Sequence, residues 1–161
     1  MWDQRRLTRQ TMTVREKGRA TGDLAEWLRD GRDSDKDRVA ELAEAVADLH
    51  RRQLYHGNLN EETVNPPVRK DGFSFDGLEH GGRMDWLPPT AQLLLRSRDL
   101  ASLLAGLGAG IGSDGARRFL TCYSDAMQDS AVTQRILRYL TSMMGFWSGN
   151  TTIRSLLGRE D

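Results

Sequence analysis

The chain has 161 residues, 38% hydrophobic and 29% charged, with 23 Lys and Arg balanced by 23 Asp and Glu. That length suits one domain with a core of its own, and zero net charge removes any global electrostatic basis for binding nucleic acid or an anionic membrane surface. Cys122 is the only cysteine, which excludes an internal disulfide framework and a Cys-rich metal site. In chain order, residues 1–22 read as a basic extension whose stretch Thr11-Met12-Thr13-Val14 alternates like a strand. No apolar segment follows Met1–Arg6, so no signal peptide is expected. No apolar run approaches about 18 residues, so no membrane span is expected either, and a cytoplasmic protein is the default. Asp23 is placed to cap a short helix with Leu24, Trp27 and Leu28 on one face and Gly31 at its end. Ser34 or Asp35 then caps a long helix over about 37–52, striped by Val39, Leu42, Val46 and Leu49. Its acidic residues come early and His50, Arg51 and Arg52 close its last turn, the order that a helix dipole favours.

A loop with His56 and Gly57 at its tip follows that helix. Asp71-Gly72 sits between alternating apolar residues and marks a hairpin turn, which Pro66-Pro67 restricts to a short, distorted pair. Asp76 to Gly82 holds three glycines and should be irregular, and Trp86 should pack the linker that ends in Pro88-Pro89. A helix from about Thr90 to Leu107 carries Leu94, Leu100, Leu103, Leu104 and Leu107, with a break expected near Arg96–Arg98 and a stop at the glycines of 106–112. Ser113 or Asp114 caps a further helix with Ala116, Phe119, Leu120, Tyr123 and Met127 on its face. Cys122 should be a half-buried helical thiol there. A last helix holds Val132, Ile136, Leu137, Leu140, Met143 and Met144, and Gly145 opens a tail over 145–161. The fold class is mainly α with a small β-hairpin: one domain over 1–161, divided into the 1–22 extension, a helical lobe over 23–144 and the tail.

The run Leu49 to Asn60, with Leu54-Tyr55-His56-Gly57-Asn58-Leu59-Asn60 at its heart, resembles the catalytic loop of protein-kinase-like phosphotransferases. The specific resemblance is to the lipopolysaccharide kinase family of Kdo kinases, heptose kinases and InaA-like proteins. It is supported more weakly by Phe73 to His80 and by the Arg98-Asp99-Leu100 helix, and it covers roughly residues 8–128. It implies a kinase-like C-terminal lobe without a complete N-terminal lobe. No Gly-rich phosphate loop and no Val-Ala-x-Lys strand is present, and too few residues precede Thr11 to build them.

By that resemblance His56 braces the loop, and Asp99 anchors the loop backbone or else pairs at the surface with Arg96 or Arg98. Asn58 occupies the position of the catalytic base and Thr63 that of a metal-binding Asn. Asp76 would be the magnesium ligand of a nucleotide site, or a plain turn residue; alignment on Leu78-Glu79 would instead put Gly77 at that position. A carboxamide cannot take a proton at neutral pH, and one hydroxyl is a poor magnesium ligand. His50 and His80 read as surface or helix-end residues, and three scattered histidines argue against zinc. The expected function is therefore that of a pseudokinase of lipopolysaccharide-kinase ancestry. It would bind a protein partner or a second copy across the surface that an N-lobe would cover, and Mg-ATP only if the nucleotide site survives. The alternatives are a sugar kinase acting on Kdo or heptose of a glycolipid acceptor at the inner membrane surface, and an unrelated helical interaction domain.

Overall fold

The computed structural model describes residues 24–30, 37–67 and 72–128, together with 134, 135 and 138. The strand expected at Thr11–Val14, the Asp23 and Gly31 helix ends, the turn at Asp71, most of the last expected helix and the tail lie outside the described residues. The architecture is mainly helical with two small antiparallel β pairs. Helices α1 (Leu24–Asp30) and α2 (Arg38–Arg51) lead into strand β1 (Leu54–Tyr55). Strands β2 (Val64–Asn65) and β3 (Ser74–Phe75), a single 3₁₀ turn (Leu78–His80) and β4 (Gly82–Arg83) follow, and α3 (Pro89–Met127) completes the described fold. Among the described residues no helix is long and apolar enough to cross a membrane.

The core forms where α2 lies on α3. Leu42, Ala43, Val46, Ala47 and Leu49 of α2 are buried, as are Leu100, Leu103, Leu104 and Leu107 of α3. Beyond the glycines Ala116, Phe119, Tyr123 and Met127 are buried as the spacing predicts, and Leu24 and Leu28 join them from α1. Ala43 and Ala47 are the small residues of this face, and the close approach of two helices needs such positions. Asp37, rather than Ser34 or Asp35, caps α2: its Oδ1 accepts the Ala40 N–H at 3.2 Å. Its other oxygen pairs with Arg118 at 2.5 Å, tying the start of α2 to the far part of α3. Arg38 donates to the Trp27 carbonyl and lies 4.9 Å from that indole's centroid, while Trp27 meets Phe73 edge to face at 5.2 Å. These contacts hold α1 in place.

Several sequence expectations are corrected. The glycines of 106–112 do interrupt the helix, but later than Leu107: α3 passes through Gly106, Gly108 and Gly110 and breaks at Gly112 (φ 67°, ψ −177°), directly before Ser113. Glycine weakens a helix by only about 1 kcal/mol per residue, less than the buried leucines on either side return. There is no break at Arg96–Arg98, because Arg96 and Ser97 are buried and the Ser97 hydroxyl bonds back to the Leu93 carbonyl within the helix. Leu93, not Leu94, faces the core, and Trp86 does not pack its linker but stands 77% exposed. Cys122 is half-buried on the helix, with burial foremost and then Asp37 raising its thiol pKa.

Candidate functional site

The site is the loop that α2 delivers. At the helix end the Arg52 N–H donates to the Asp48 carbonyl and the Gln53 N–H to the His50 carbonyl, and Gln53 turns the chain with a left-handed backbone (φ 59°). The next two residues are β1, which pairs with β4 in the register Leu54↔Arg83 and Tyr55↔Gly82. Leu59 is fully buried and plugs the loop into the core. β2 and β3 then pair as Val64↔Phe75 and Asn65↔Ser74, the hairpin that Asp71-Gly72 foretold. The irregular stretch expected at 76–82 is ordered: the 3₁₀ turn leads into β4. Two glycines make the crossing possible. Gly57 has φ 81°, and a Cβ there would collide with the His80 carbonyl oxygen; a Cβ on Gly81 would collide with the Tyr55 carbonyl oxygen. Only glycine has both the freedom for the first conformation and the bareness for either approach.

A buried line of hydrogen bonds supports the loop from below. Asp99, 1% exposed, accepts the His56 N–H at 2.6 Å and the Gly57 N–H at 2.8 Å, one on each carboxylate oxygen. It therefore makes no surface ion pair with Arg96 or Arg98. His50 is not a surface residue either: it is fully buried between Tyr123 and Asp99. Burial, partly opposed by the Asp99 hydrogen bond, lowers the His50 pKa, and burial raises that of Tyr123 well beyond the usual phenol range. Both groups are thus neutral near pH 7. The Tyr123 hydroxyl donates to His50 Nδ1 at 2.7 Å, and Nε2–H points to Asp99 at 3.4 Å. His56, also fully buried, accepts the Asn58 N–H on Nδ1 at 3.3 Å and donates from Nε2 to the Asp76 carbonyl at 2.7 Å. That contact joins the loop to the end of β3, where the Asp76 N–H donates to the Thr63 carbonyl at 2.8 Å.

The outer face is different. Asn58 and Asp76 are exposed. The Asn58 side-chain oxygen lies 3.4 Å from the Asn60 amide nitrogen, and the Asn60 oxygen in turn accepts the Glu62 and Thr63 N–H groups. The Thr63 hydroxyl is turned inward: it accepts the Asn60 N–H at 3.0 Å and lies 3.2 and 3.1 Å from the Asn58 and Asn60 carbonyls. It closes its own loop. Only backbone atoms of Asp76 are engaged, so its carboxylate faces solvent without a protein donor among the described residues. No group of three or more His, Cys, Asp and Glu able to hold a metal ion occurs among those residues. Of the described residues that the resemblance would place at a magnesium–nucleotide complex, Asp76 alone has a carboxylate, Asn58 has no group that takes a proton at neutral pH, and Thr63 has one hydroxyl that the loop already engages. This donor set does not fit catalytic magnesium, and no transfer step follows from it. His80 is exposed, beside Glu79 at 3.9 Å.

Sequence reasoning missed three of these residues. Tyr123 was legible only as one position of an apolar stripe, and His50 only as a helix-end cation. Arg96 is buried over the same helix end, where Nη2 lies 3.4 Å from the His50 carbonyl and 3.3 Å from Gln53 Oε1. The available signal was polarity at a position where the α3 period demands burial. No family model matches the sequence, and no curated protein matches it.

Proposed function

We propose that the chain is a degenerate kinase-like C-terminal lobe of lipopolysaccharide-kinase ancestry that acts by binding rather than by phosphoryl transfer. The observation that carries this reading is the contrast around one loop. The loop is braced as the resemblance would have it, with Asp99 on the His56 and Gly57 N–H groups and His56 on the Asp76 carbonyl, and this supports the reading. The reacting positions are not kept, since Asn58 has no proton-accepting group and the Thr63 hydroxyl is spent on the loop. The helix–loop–hairpin arrangement around His56 weighs against an unrelated helical domain. The partner would be a protein or a second copy on the face around Asn58 and Asp76. A cytoplasmic setting, peripheral to the inner membrane, fits the ancestry.

The exposed Asp76 carboxylate favours one other reading, a sugar kinase for Kdo or heptose with Asp76 holding magnesium. Calorimetry and a turnover assay with Mg-ATP separate the two. The proposal expects no binding up to about 1 mM ATP and no turnover. Magnesium-dependent binding and turnover, both abolished in Asp76→Ala, would establish the kinase instead.

A further inference from the structure

A cleft of about 360 Å³ is lined by Pro89, Thr90, Gln92, Leu93, Arg96, Arg135 and Arg138. Small-molecule sites take about 300–1,000 Å³. Among the described residues that line it, three are arginines and none is acidic. Arg135 and Arg138 are exposed, but Arg96 is only 7% exposed. Its Nε is buried without a hydrogen-bond partner, and no carboxylate lies within ion-pairing distance of it among the described residues. The buried carboxylate of the same helix, Asp99, is committed to two loop N–H groups and His50. A buried guanidinium needs a counter-charge, and here it lines a cleft whose other charged residues, among those described, are also positive.

We infer that this cleft binds a phosphorylated small molecule, with the phosphomonoester between Arg96, Arg135 and Arg138. A phosphate carries close to two negative charges and three acceptor oxygens, which matches three guanidiniums better than a lone carboxylate does. The volume exceeds what phosphate needs, and Leu93 and Pro89 offer an apolar wall for the body of the molecule. The cleft is also wired to the loop described above. Arg96 Nη2 reaches the His50 carbonyl and the Gln53 side chain, the two residues at which α2 turns into β1.

The test is calorimetry on the full chain with inorganic phosphate, glucose 6-phosphate and unphosphorylated glucose. Co-sedimentation with vesicles of phosphatidylcholine, with and without phosphatidic acid, forms the lipid arm. The expected result is binding of glucose 6-phosphate and not of glucose, weakened at least about tenfold in the Arg135→Gln/Arg138→Gln double variant. Both side chains are exposed, so that variant should melt at the wild-type temperature. Binding confined to phosphatidic acid vesicles, and lost in the same variant, would name a lipid headgroup as the source of the phosphomonoester. Arg96→Lys keeps the charge and loses the planar fork, so it should bind more weakly than wild type; if it fails to fold, the double variant still decides. Absence of binding in both arms, equal binding of glucose, or binding indifferent to the double variant overturns the assignment.

Discussion

Beneath the 56–63 loop, Tyr123, His50, Asp99 and two backbone N–H groups pass hydrogen bonds along one buried line. Above it, Asn58 and Asp76 face solvent, and the Asn60 and Thr63 side chains are folded back onto their own loop. The two faces belong to one segment yet answer to different constraints. The lower face is held by the cost of leaving buried polar groups unpaired, whatever the loop does. The upper face carries no such cost, because its amides and hydroxyls are satisfied by one another or by water.

Mutations can break that comparison. The largest effect is expected on the lower face: Asp99→Ala strands two N–H groups and should cost about 3–5 kcal/mol in chemical denaturation. A loss below about 1 kcal/mol would mean that the loop is anchored elsewhere. Gly57→Ala comes next at about 2–3 kcal/mol, because it combines a left-handed backbone with a collision against the His80 carbonyl. An equally stable variant would show that the β4 backbone can retreat. The third is a pH effect. The His50 pKa is lowered on folding from its ordinary 6.5, so below that pH the unfolded chain takes up a proton that the folded one resists. Stability should fall as pH drops through about 6.5 toward the folded-state value, and His50→Gln should flatten this part of the melting-temperature profile; an unchanged profile would shift the effect to other groups. On the upper face Thr63→Val should cost only about 0.5–1.5 kcal/mol, and Asn58→Ala should fall within about 0.5 kcal/mol of wild type. A large loss at Asn58 would erase the distinction between the faces.

What the sequence made legible follows from the same physics. The stripe Leu42, Val46 and Leu49 and the face Ala116, Phe119 and Tyr123 announce α2 and the end of α3, because burial against a helix imposes a 3.6-residue period. The β2–β3 pair was legible from Asp71-Gly72. β1 and β4 were not: each is two residues long, too short for alternation to register, and each is defined by its partner rather than by its own composition. The single kink at Gly112 was also hidden, since several equivalent glycines compete in the sequence and only packing decides among them. At the site, Asn58, Thr63, Asp76 and Asp99 could be picked out only through the resemblance of their stretches to a kinase catalytic loop. The burial of His50 could not, because a histidine beside two arginines reads as a charged helix end until Tyr123 arrives from the distant α3.

The strand registers carry one more consequence, for the order of assembly. The Val64↔Phe75 pairing lies wholly inside the segment bounded by Leu54↔Arg83, so the two ladders are nested like the stems of one larger hairpin. Closing the inner pair shortens the chain that the outer pair must close, and the entropy of loop closure favours that sequence. Pulse-labelled hydrogen exchange during refolding should find the Asp76 N–H, bonded to Thr63, protected before the Met84 N–H, bonded to Gln53. Asp99 comes from still further along the chain, so the His56 tip stays slack until α3 docks and its two N–H groups are the last to be captured.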